Sequence, residues 1–258
     1  MPSVSRVAVI AHGRADVADA VERVGALAGE RGIELVEDSP DLAVVLGGDG
    51  TMLRGLKRFL GAGVPVIGVN YGRVGFLASM GRDDLESGLA RAFDGKFDVV
   101  ELPTLEVEIG GERSPAVNDV VAHSASLGRM VELRWSIAGE DLGSVPCDGL
   151  VCCTPSGSTA YNLSSGGPVL VWGMDAMAVT FVAPHLLHAR PLVVPRGREL
   201  EVSNLTPDVK VAVIADGHEI GEIGQGDSVR VRLADAVSLL ATLPEMTFFR
   251  RYRDTFAS

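Results

Sequence analysis

Apolar and polar positions follow two patterns along the chain, and the first pattern occupies about the first hundred residues. In this part, short apolar runs alternate with stretches whose apolar positions recur at helical spacing. Strands are predicted over residues 7–11, 33–36, 42–46 and 64–69. Helices are predicted over residues 15–29, 52–60 and 83–93. Because alternating strands and helices favour a parallel sheet with helices on its faces, we expect an α/β domain over residues 1–98.

The second pattern runs from residue 99 to residue 243 and consists of short alternating segments between glycine-rich turns. Such spacing predicts a mostly antiparallel, β-sandwich-like domain. Its predicted strands include residues 105–109, 131–137, 209–215 and 229–233. Residues 246–256 have the spacing of a helix with aromatic anchors, and we expect the C-terminal segment 244–258 to complete the first domain. That first domain is predicted to be Rossmann-like, with ligands bound beyond the carboxyl ends of its strands.

The composition is that of a globular protein, with 47% hydrophobic and 22% charged residues among 258. A formal net charge of -11 argues against nucleic-acid binding, which needs a basic surface. No signal peptide is predicted, and no stretch approaches the roughly 20 apolar residues that cross a bilayer. Three cysteines without metal-ligand spacing are typical of reduced thiols. We therefore expect a cytoplasmic protein that binds neither nucleic acid nor membrane.

Residues 46–51 read Leu-Gly-Gly-Asp-Gly-Thr and lie between a predicted strand and a predicted helix. Glycines let a ligand approach the backbone closely, and the free amides at a helix start attract phosphate. Asp49 is a carboxylate in the middle of this predicted anion site, where its charge would repel a polyanion. We therefore interpret Asp49 as a group that handles a metal or a proton. The alternative interpretation is a tight turn with an aspartate cap.

Residues 148–168 form a second unusual stretch, which is rich in hydroxyl groups and glycine and contains one aromatic residue, Tyr161. Hydroxyls and open backbone amides at this density suit hydrogen bonding to a sugar or a phosphate. The alternative is a flexible serine and glycine loop. The rigid pair Thr154-Pro155 and the embedded Tyr161 argue against that alternative.

The glycine turn resembles the signature of the diacylglycerol-kinase, phosphofructokinase and NAD-kinase superfamily. The second stretch resembles the hallmark of the NAD kinase family within it. Three further stretches also resemble that family: Asn70 to Leu77 with its Gly-Phe-Leu end, the Asn118-Asp119 pair, and residues 183–191 with Pro-His and Arg-Pro. The resemblance covers nearly the whole chain. It implies an enzyme that phosphorylates the adenosine-ribose 2′-hydroxyl of NAD to give NADP.

The resemblance also implies roles for individual residues. Asp49 would be the general base that activates the 2′-hydroxyl, with ATP and a divalent metal, Mg²⁺ or Mn²⁺. No protein metal ligands and no tightly bound organic cofactor are expected. The donor phosphates would lie against Gly47, Gly48, Gly50 and Thr51. The NAD contacts would be Asp49, Gly50, Arg54, Asn118, Asp119, Arg129, Asp148, Thr159, Ala160, Tyr161, Ser164 and His218.

Several of these residues have a second interpretation from the sequence alone. Arg54 could be a solvated surface arginine, and His218 could be a turn histidine after Asp216-Gly217, a pair that favours a hairpin. Asn118 and Asp119 could cap a turn, and Asp119 is one methylene shorter than the glutamate usual in the family. His185 and His188 have a spacing that suggests a metal. No acid or cysteine completes that set, so no structural zinc is expected.

Two competing functions remain open at this stage. One is another kinase of the superfamily with a different acceptor, a lipid or a sugar. The other is a catalytically weak homologue that binds NAD or NADP. A classical dehydrogenase lacks support, since no Gly-x-Gly-x-x-Gly follows the first strand. The sequence does not distinguish ATP from polyphosphate as donor, NAD from NADH as acceptor, or homodimer from homotetramer, and feedback by NADP is undetermined.

Overall fold

The structure is a computed structural model that describes residues 4–11, 15–72 and 75–257, and the chain divides into two compact units. The first unit consists of Met1–Glu101 and Val237–Ser258, and the second of Leu102–Ala236. The predicted domains meet at residues 98 and 243 instead. Two long strands cross the observed boundaries without an internal turn. Because such a strand is continuous, its sequence pattern does not show where one domain ends and the next begins.

The first unit contains a parallel sheet in the strand order β2-β1-β3-β4. Its strands are β1 (Arg6–Ala11), β2 (Glu34–Leu35), β3 (Leu42–Gly47), β4 (Pro65–Asn70) and β5 (Met80–Gly81). Its helices are α1 (Ala15–Glu30), α2 (Asp49–Arg58) and α3 (Leu85–Phe93), with a 3₁₀ turn at Arg82–Asp84. All six residues of β3 are buried, which explains its uninterrupted apolar run. The predicted α/β architecture is confirmed.

Helix α2 begins earlier than the apolar pattern predicted. Its N-cap is Gly48, and the amides of Thr51 and Met52 both donate to the Gly48 carbonyl, at 2.9 and 3.0 Å. The prediction started the helix at residue 52 because Asp49, Gly50 and Thr51 contribute no apolar periodicity. The glycine turn is therefore the first turn of the helix itself.

The second unit consists almost entirely of antiparallel strands. They are β6 (Asp98–Ile109), β7 (Glu112–Ala116), β8 (Asp119–Ser124), β9 (Val131–Ile137), β10 (Glu140–Cys147), β11 (Gly149–Cys153), β12 (Ala176–Val182), β13 (Leu192–Pro195), β14 (Leu200–Asn204), β15 (Val211–Ala215), β16 (His218–Ile223) and β17 (Ser228–Thr242). A short helix, α4 (Tyr161–Ser164), follows a 3₁₀ turn at Gly157–Thr159. One sheet has the order β13-β12-β11-β8-β15-β16, and β10-β9-β14-β17 is part of the larger sheet that also contains β4-β3-β1-β2. Side chains from both enclose one apolar core, as expected for a sandwich-like domain.

Strands β6 and β17 pair with each other and are the two that cross the boundary between the units. In the first unit, the end of β17 pairs in parallel with β4, with Leu239 opposite Pro65. Helix α5 (Phe248–Phe256) follows β17, and Phe248 and Arg251 are its buried residues. The C-terminal segment thus belongs to the α/β unit. None of the helices in the described ranges combines the length and apolar character needed to cross a membrane.

Candidate functional site

A cavity of about 510 Å³ lies at the start of helix α2 in the first unit. The phosphate-binding residues predicted from the sequence line it together with Arg54: Gly47, Gly48, Gly50 and Thr51. Val17, Tyr71 and Gly72 complete the lining. Because backbone amides and the positive end of the helix dipole point into such a position, the cavity suits an anion. Arg54 is exposed, and it adds a positive charge at the same wall.

The Asp49 carboxylate is held by backbone amides from a distant part of the same unit. Its Oδ2 accepts a hydrogen bond from the Phe76 amide at 2.8 Å, and its Oδ1 accepts one from the Leu77 amide at 3.1 Å. Burial raises the pKa of Asp49, while these two amides and the charge of Arg251 lower it. Asp49 therefore does not cap its own helix. It is an oriented carboxylate whose affinity for a proton is increased.

Gly75 makes the approach of Asp49 possible. A β-carbon at this position would lie 3.0 Å from Asp49 Oδ1 and 3.3 Å from Asn70 Nδ2. Asn70 ends strand β4 and accepts a hydrogen bond from the Gly72 amide at 2.8 Å. The side chains of Asp49 and Asn70 therefore both lie against Gly75, which has no side chain to exclude them. Arg73 and Val74, in the middle of the family-like segment, lie outside the described residues.

In the second unit, Asn118 and Asp119 are both buried at the start of strand β8. Their backbone amides donate to the Asp216 carboxylate at 2.7 and 3.4 Å, and the Val117 amide does so at 2.9 Å. Burial and the nearby charge of Asp216 raise the pKa of the Asp119 carboxyl to about 6. The pair is therefore rigidly held, and the Asp119 side chain takes a proton more readily than an ordinary aspartate.

The hydroxyl-rich stretch has a different structure from the one expected. Thr154, Ser156 and Ser158 are buried, and their hydroxyls bind protein groups instead of facing a ligand. Thr154 Oγ1 donates to the Val117 carbonyl at 2.7 Å, and Ser156 Oγ donates to Asn118 Oδ1 at 3.1 Å. These hydroxyls are internal scaffolding that fixes Asn118. In contrast, the predicted contact residues are partly or fully exposed: Thr159, Ala160, Tyr161 and Ser164. The Tyr161 residue is 39% exposed.

Gly157 is required by the same scaffold. A β-carbon at this position would lie 2.1 Å from the backbone carbonyl oxygen of Asn118, closer than real β-carbons come. The close approach holds the 3₁₀ turn at Gly157–Thr159 against the Asn118 backbone. Packing therefore explains why the motif has a glycine at this position.

The remaining predicted contacts fall at two opposite ends of one sheet. Cys153 pairs with Asp119, and Gly149 pairs with His123, so β8 and β11 run in opposite directions. His218 is exposed beside Asp216, and its Nδ1 lies 3.1 Å from the Asp216 carbonyl oxygen, at the Asp119 end. Asp148 precedes β11, and at about 3.4 Å per residue it lies about 17 Å from that end. Arg129, exposed in the loop between β8 and β9, also lies away from Asp119.

Two residues that hold the predicted site residues in place were not indicated by the sequence pattern. Asp216 was assigned only to a hairpin turn, and Arg251 only to the C-terminal helix. A carboxylate in a turn gives no sign that it will bind amides about a hundred residues away. Arg251 had one available signal, because it follows Phe248 by three positions and thus shares the apolar face of the helix.

The described ranges contain no group of three or more His, Cys, Asp or Glu side chains placed to hold a metal. His185 and His188 are both exposed in the loop between β12 and β13. A divalent ion that retains waters and phosphate ligands needs only one or two protein oxygens. An ion that enters with a nucleotide therefore does not require a group of several acidic or histidine side chains.

Two family models match the chain. The ATP-NAD kinase N-terminal domain matches residues 22–97, and the ATP-NAD kinase C-terminal domain matches residues 117–241. A NAD kinase of Gemmatimonas aurantiaca is 39% identical over 233 residues, which are 87% of this chain and 80% of that protein. A NAD kinase of Thermomicrobium roseum is 33% identical over 96% of this chain and 89% of its own length.

Two solved structures share the fold. Yeast NADH kinase complexed with NADH has a TM-score of 0.89 at 20% identity and covers 100% of this chain and 88% of its own. A NAD kinase from Archaeoglobus fulgidus in complex with ATP has a TM-score of 0.80 at 24% identity, over 98% of this chain and 97% of its own. At 20% and 24% identity, the two solved structures support the fold alone. The relatives at 39% and 33% identity support membership of the family.

Proposed function

Since this chain belongs to the NAD kinase family and its activity is the phosphorylation of NAD to NADP with ATP, we propose that Asp49 is the general base of that reaction. The observation that carries the proposal is the pair of hydrogen bonds from Phe76 and Leu77 to the Asp49 carboxylate. These bonds orient a carboxylate at the edge of an anion-binding helix start. A carboxylate in that position can accept a proton beside a phosphoryl group.

In the proposed step, the adenosine-ribose 2′-hydroxyl of NAD attacks the γ-phosphorus of ATP. The bond from the 2′-oxygen to phosphorus forms, the bond between the β,γ-bridging oxygen and the γ-phosphorus breaks, and ADP leaves. The hydroxyl proton moves to an Asp49 carboxylate oxygen. Burial supports this role because it raises the pKa of Asp49, and a base works best when its pKa approaches the working pH.

The glycine turn supplies the electrostatic part of the proposal. Phosphoryl transfer depends mainly on positioning and charge neutralisation. The amides at the start of α2 and the Arg54 side chain would bind phosphate oxygens in the cavity that they line. We propose that Mg²⁺ or Mn²⁺ enters on the ATP phosphates, which would supply most of its ligands. The ion would neutralise charge that develops on the phosphates.

The second unit supplies the proposed NAD contacts. Asn118 would bind the adenine edge, and the Asp119 carboxylate would accept hydrogen bonds from the ribose hydroxyls. Their burial and fixed backbone support this role, because a preorganised clamp loses little entropy on binding. Thr159, Ala160, Tyr161, Ser164 and His218 are proposed NAD contacts at the Asp119 end of the sheet. Arg129 and Asp148 are proposed contacts at its opposite end, for a more distant part of the dinucleotide.

The test is to incubate the protein with NAD, ATP and Mg²⁺ and to detect NADP with a strictly NADP-specific dehydrogenase. Asp49→Asn should lose about 10²- to 10⁴-fold in kcat, since a positioned base contributes that much. Calorimetry should show that the variant still binds NAD. Near-normal turnover by Asp49→Asn would remove the residue from this role.

The same assay separates the remaining alternatives. Replacing ATP with polyphosphate, NAD with NADH, or Mg²⁺ with Mn²⁺ identifies the preferred donor, acceptor and metal. Tight NAD binding without turnover in the wild type would instead favour a binding homologue. We further propose a cytoplasmic homodimer or homotetramer, which the family resemblance supports and light scattering after size-exclusion chromatography would test.

A further inference from the structure

Arg251 is a buried arginine behind the glycine turn, on helix α5 near the C-terminus. It is 3% exposed, and a buried charge is costly unless it is paired and hydrogen-bonded. All five of its N–H donors have acceptors. Nε donates to the Met246 carbonyl at 3.2 Å. Nη2 donates to Ser79 Oγ at 3.2 Å and to Thr242 Oγ1 at 2.8 Å. Nη1 donates to the Phe76 carbonyl at 2.9 Å and also to the Ala78 carbonyl.

The segment that Arg251 binds is the one that holds Asp49. Phe76 donates through its amide to Asp49 Oδ2 at 2.8 Å, while its carbonyl accepts from Arg251. Leu77 donates to Asp49 Oδ1 and stands between the two carbonyls that the guanidinium binds. A continuous chain of hydrogen bonds therefore runs from helix α5 through residues 76–78 to the carboxylate.

The guanidinium also acts on Asp49 through its charge. Burial lowers the pKa of Arg251 to about 10, and the charge of Asp49 opposes that shift, so Arg251 stays protonated at neutral pH. Conversely, Arg251 lowers the pKa of Asp49. A planar group with five fixed donors suits this position better than a lysine, which offers three donors on a flexible stem.

We propose that Arg251 is a positioning residue for the phosphoryl transfer, because its guanidinium fixes the two backbone amides that orient Asp49. Arg251 holds residues 76–79 from behind, and its positive charge keeps the Asp49 carboxylate ionised at lower pH. The inference rests on the proposed role of Asp49 as the base. It extends that role to a residue at the far end of the chain.

Four of the other charged groups near this chain of bonds are paired with one another. The cavity that includes Asn70 and Gly75 is also lined by Asp84, Arg91, Glu245, Arg250 and Asp254. Arg91 Nη1 and Glu245 Oε1 form an ion pair at 2.6 Å, and Arg250 Nε lies 3.6 Å from Asp254 Oδ2. Arg54 is exposed on α2. Arg251, and none of these groups, is the cation that lowers the pKa of Asp49.

The test compares Arg251→Gln and Arg251→Lys with Arg253→Gln. Arg253 lies on the same helix, is exposed and pairs with the adjacent Asp254, so its replacement controls for a lost arginine on α5. We expect kcat to fall about tenfold or more in both Arg251 variants, because misplacing a reacting group by about 1 Å costs about a hundredfold. The KM for NAD should change less than about threefold. Arg253→Gln should behave as wild type.

The pH profile separates positioning from simple stabilisation. In Arg251→Gln the acid limb of kcat should move to higher pH, since Asp49 loses the charge that keeps it ionised, whereas Arg251→Lys should keep the limb near its wild-type position. Thr242→Val removes one acceptor of the guanidinium and is expected to fold if the arginine variants do not. It should lower kcat, with NAD affinity unchanged. Wild-type kcat and an unmoved acid limb in the folded variants would overturn the inference.

The two proposals fail in different ways. If Asp49→Asn retains near-normal turnover, the base assignment is wrong and the Arg251 inference falls with it. If Asp49→Asn abolishes turnover while folded Arg251→Gln and Thr242→Val match the wild type in kcat and pH profile, only the Arg251 inference is wrong.

Discussion

The Asp216 carboxylate accepts a hydrogen bond from the Asn118 backbone amide at 2.7 Å, across about a hundred residues of sequence. The same carboxylate accepts from the Val117 and Asp119 amides. Asp216 and Gly217 form the two-residue hairpin between β15 and β16, with φ of 49° and 78°, as type I′ turns require. The hairpin therefore has a second use, because its first residue fixes the backbone of the Asn118-Asp119 pair.

Asp216→Asn should weaken both folding and NAD binding. The asparagine retains one acceptor oxygen and presents an amide group to backbone donors, so we expect a loss of about 1.5–3 kcal/mol in the free energy of unfolding. The KM for NAD should rise more than kcat falls, since the change acts on the proposed ribose clamp. Urea unfolding and steady-state kinetics measure both effects.

Asp227→Asn is the matched control for Asp216→Asn. Asp227 also lies in a turn of the second unit, between β16 and β17, but its exposed carboxylate accepts from the Gly224 amide at 3.0 Å. Replacing it should change the unfolding free energy by less than about 1 kcal/mol and leave the KM for NAD unchanged. Equal effects of the two substitutions would show that Asp216 has no special relation to the NAD site.

Asp119 should make folding stability depend on pH. Its pKa is about 6 in the folded protein against an ordinary value of 3.8, so the folded state binds the proton more tightly. Stability should therefore fall as pH rises from about 4 to 6, by about 2–3 kcal/mol for this group. Asp119→Asn should be more stable than the wild type at pH 8, and the difference should vanish at pH 4. Thermal unfolding across this range measures it.

The same titration should appear in NAD binding. A protonated Asp119 carboxyl can no longer accept hydrogen bonds with both oxygens, so NAD affinity should decline below about pH 6 in the wild type. In Asp119→Asn the affinity should be lower and should lose this dependence on pH. Calorimetry at pH 5 and pH 8 gives the comparison, and identical pH profiles in the two proteins would contradict the assignment.

Gly75→Ala should reduce turnover with little loss of stability. The added β-carbon would lie 3.0 Å from Asp49 Oδ1, so the carboxylate must move by a few tenths of an ångström. We expect kcat to fall about tenfold and the free energy of unfolding to change by about 1 kcal/mol. Gly29→Ala near the end of α1, where a β-carbon meets nothing within 4 Å, is the control. Unchanged kcat in Gly75→Ala would show that this approach distance is not limiting.

Thr154→Val should destabilise the second unit and disturb the NAD site together. It removes the hydroxyl that donates to the Val117 carbonyl and accepts from the Gly157 amide at 3.2 Å. A loss of about 1–3 kcal/mol in unfolding free energy is expected, because buried polar groups are left without partners. Thr154→Ser restores the hydroxyl and should recover most of the NAD affinity. A serine variant as poor as the valine variant would indicate a packing effect.

The α/β unit was largely predictable because its strands are buried on both faces and give long apolar runs. The start of α2 was not predictable from the apolar pattern, because Asp49, Gly50 and Thr51 do not contribute to that pattern. The hydroxyl-rich stretch was located correctly by composition, but burial decided its role. Thr154, Ser156 and Ser158 face inward, while Thr159 and Tyr161 are accessible. Composition does not reveal which hydroxyls are buried.

The sequence by itself determined the family, the two-part architecture and the presence of Asp49 in a glycine turn, because each of these depends on residues adjacent in the chain. Only the tertiary structure decided that Phe76 and Leu77 orient Asp49, that Arg251 holds them from behind, and that Asp216 fixes Asn118. These relationships join residues 27 to 175 positions apart. Local patterns describe how a segment meets the core, whereas pairing between distant polar groups depends on the packing of the whole unit.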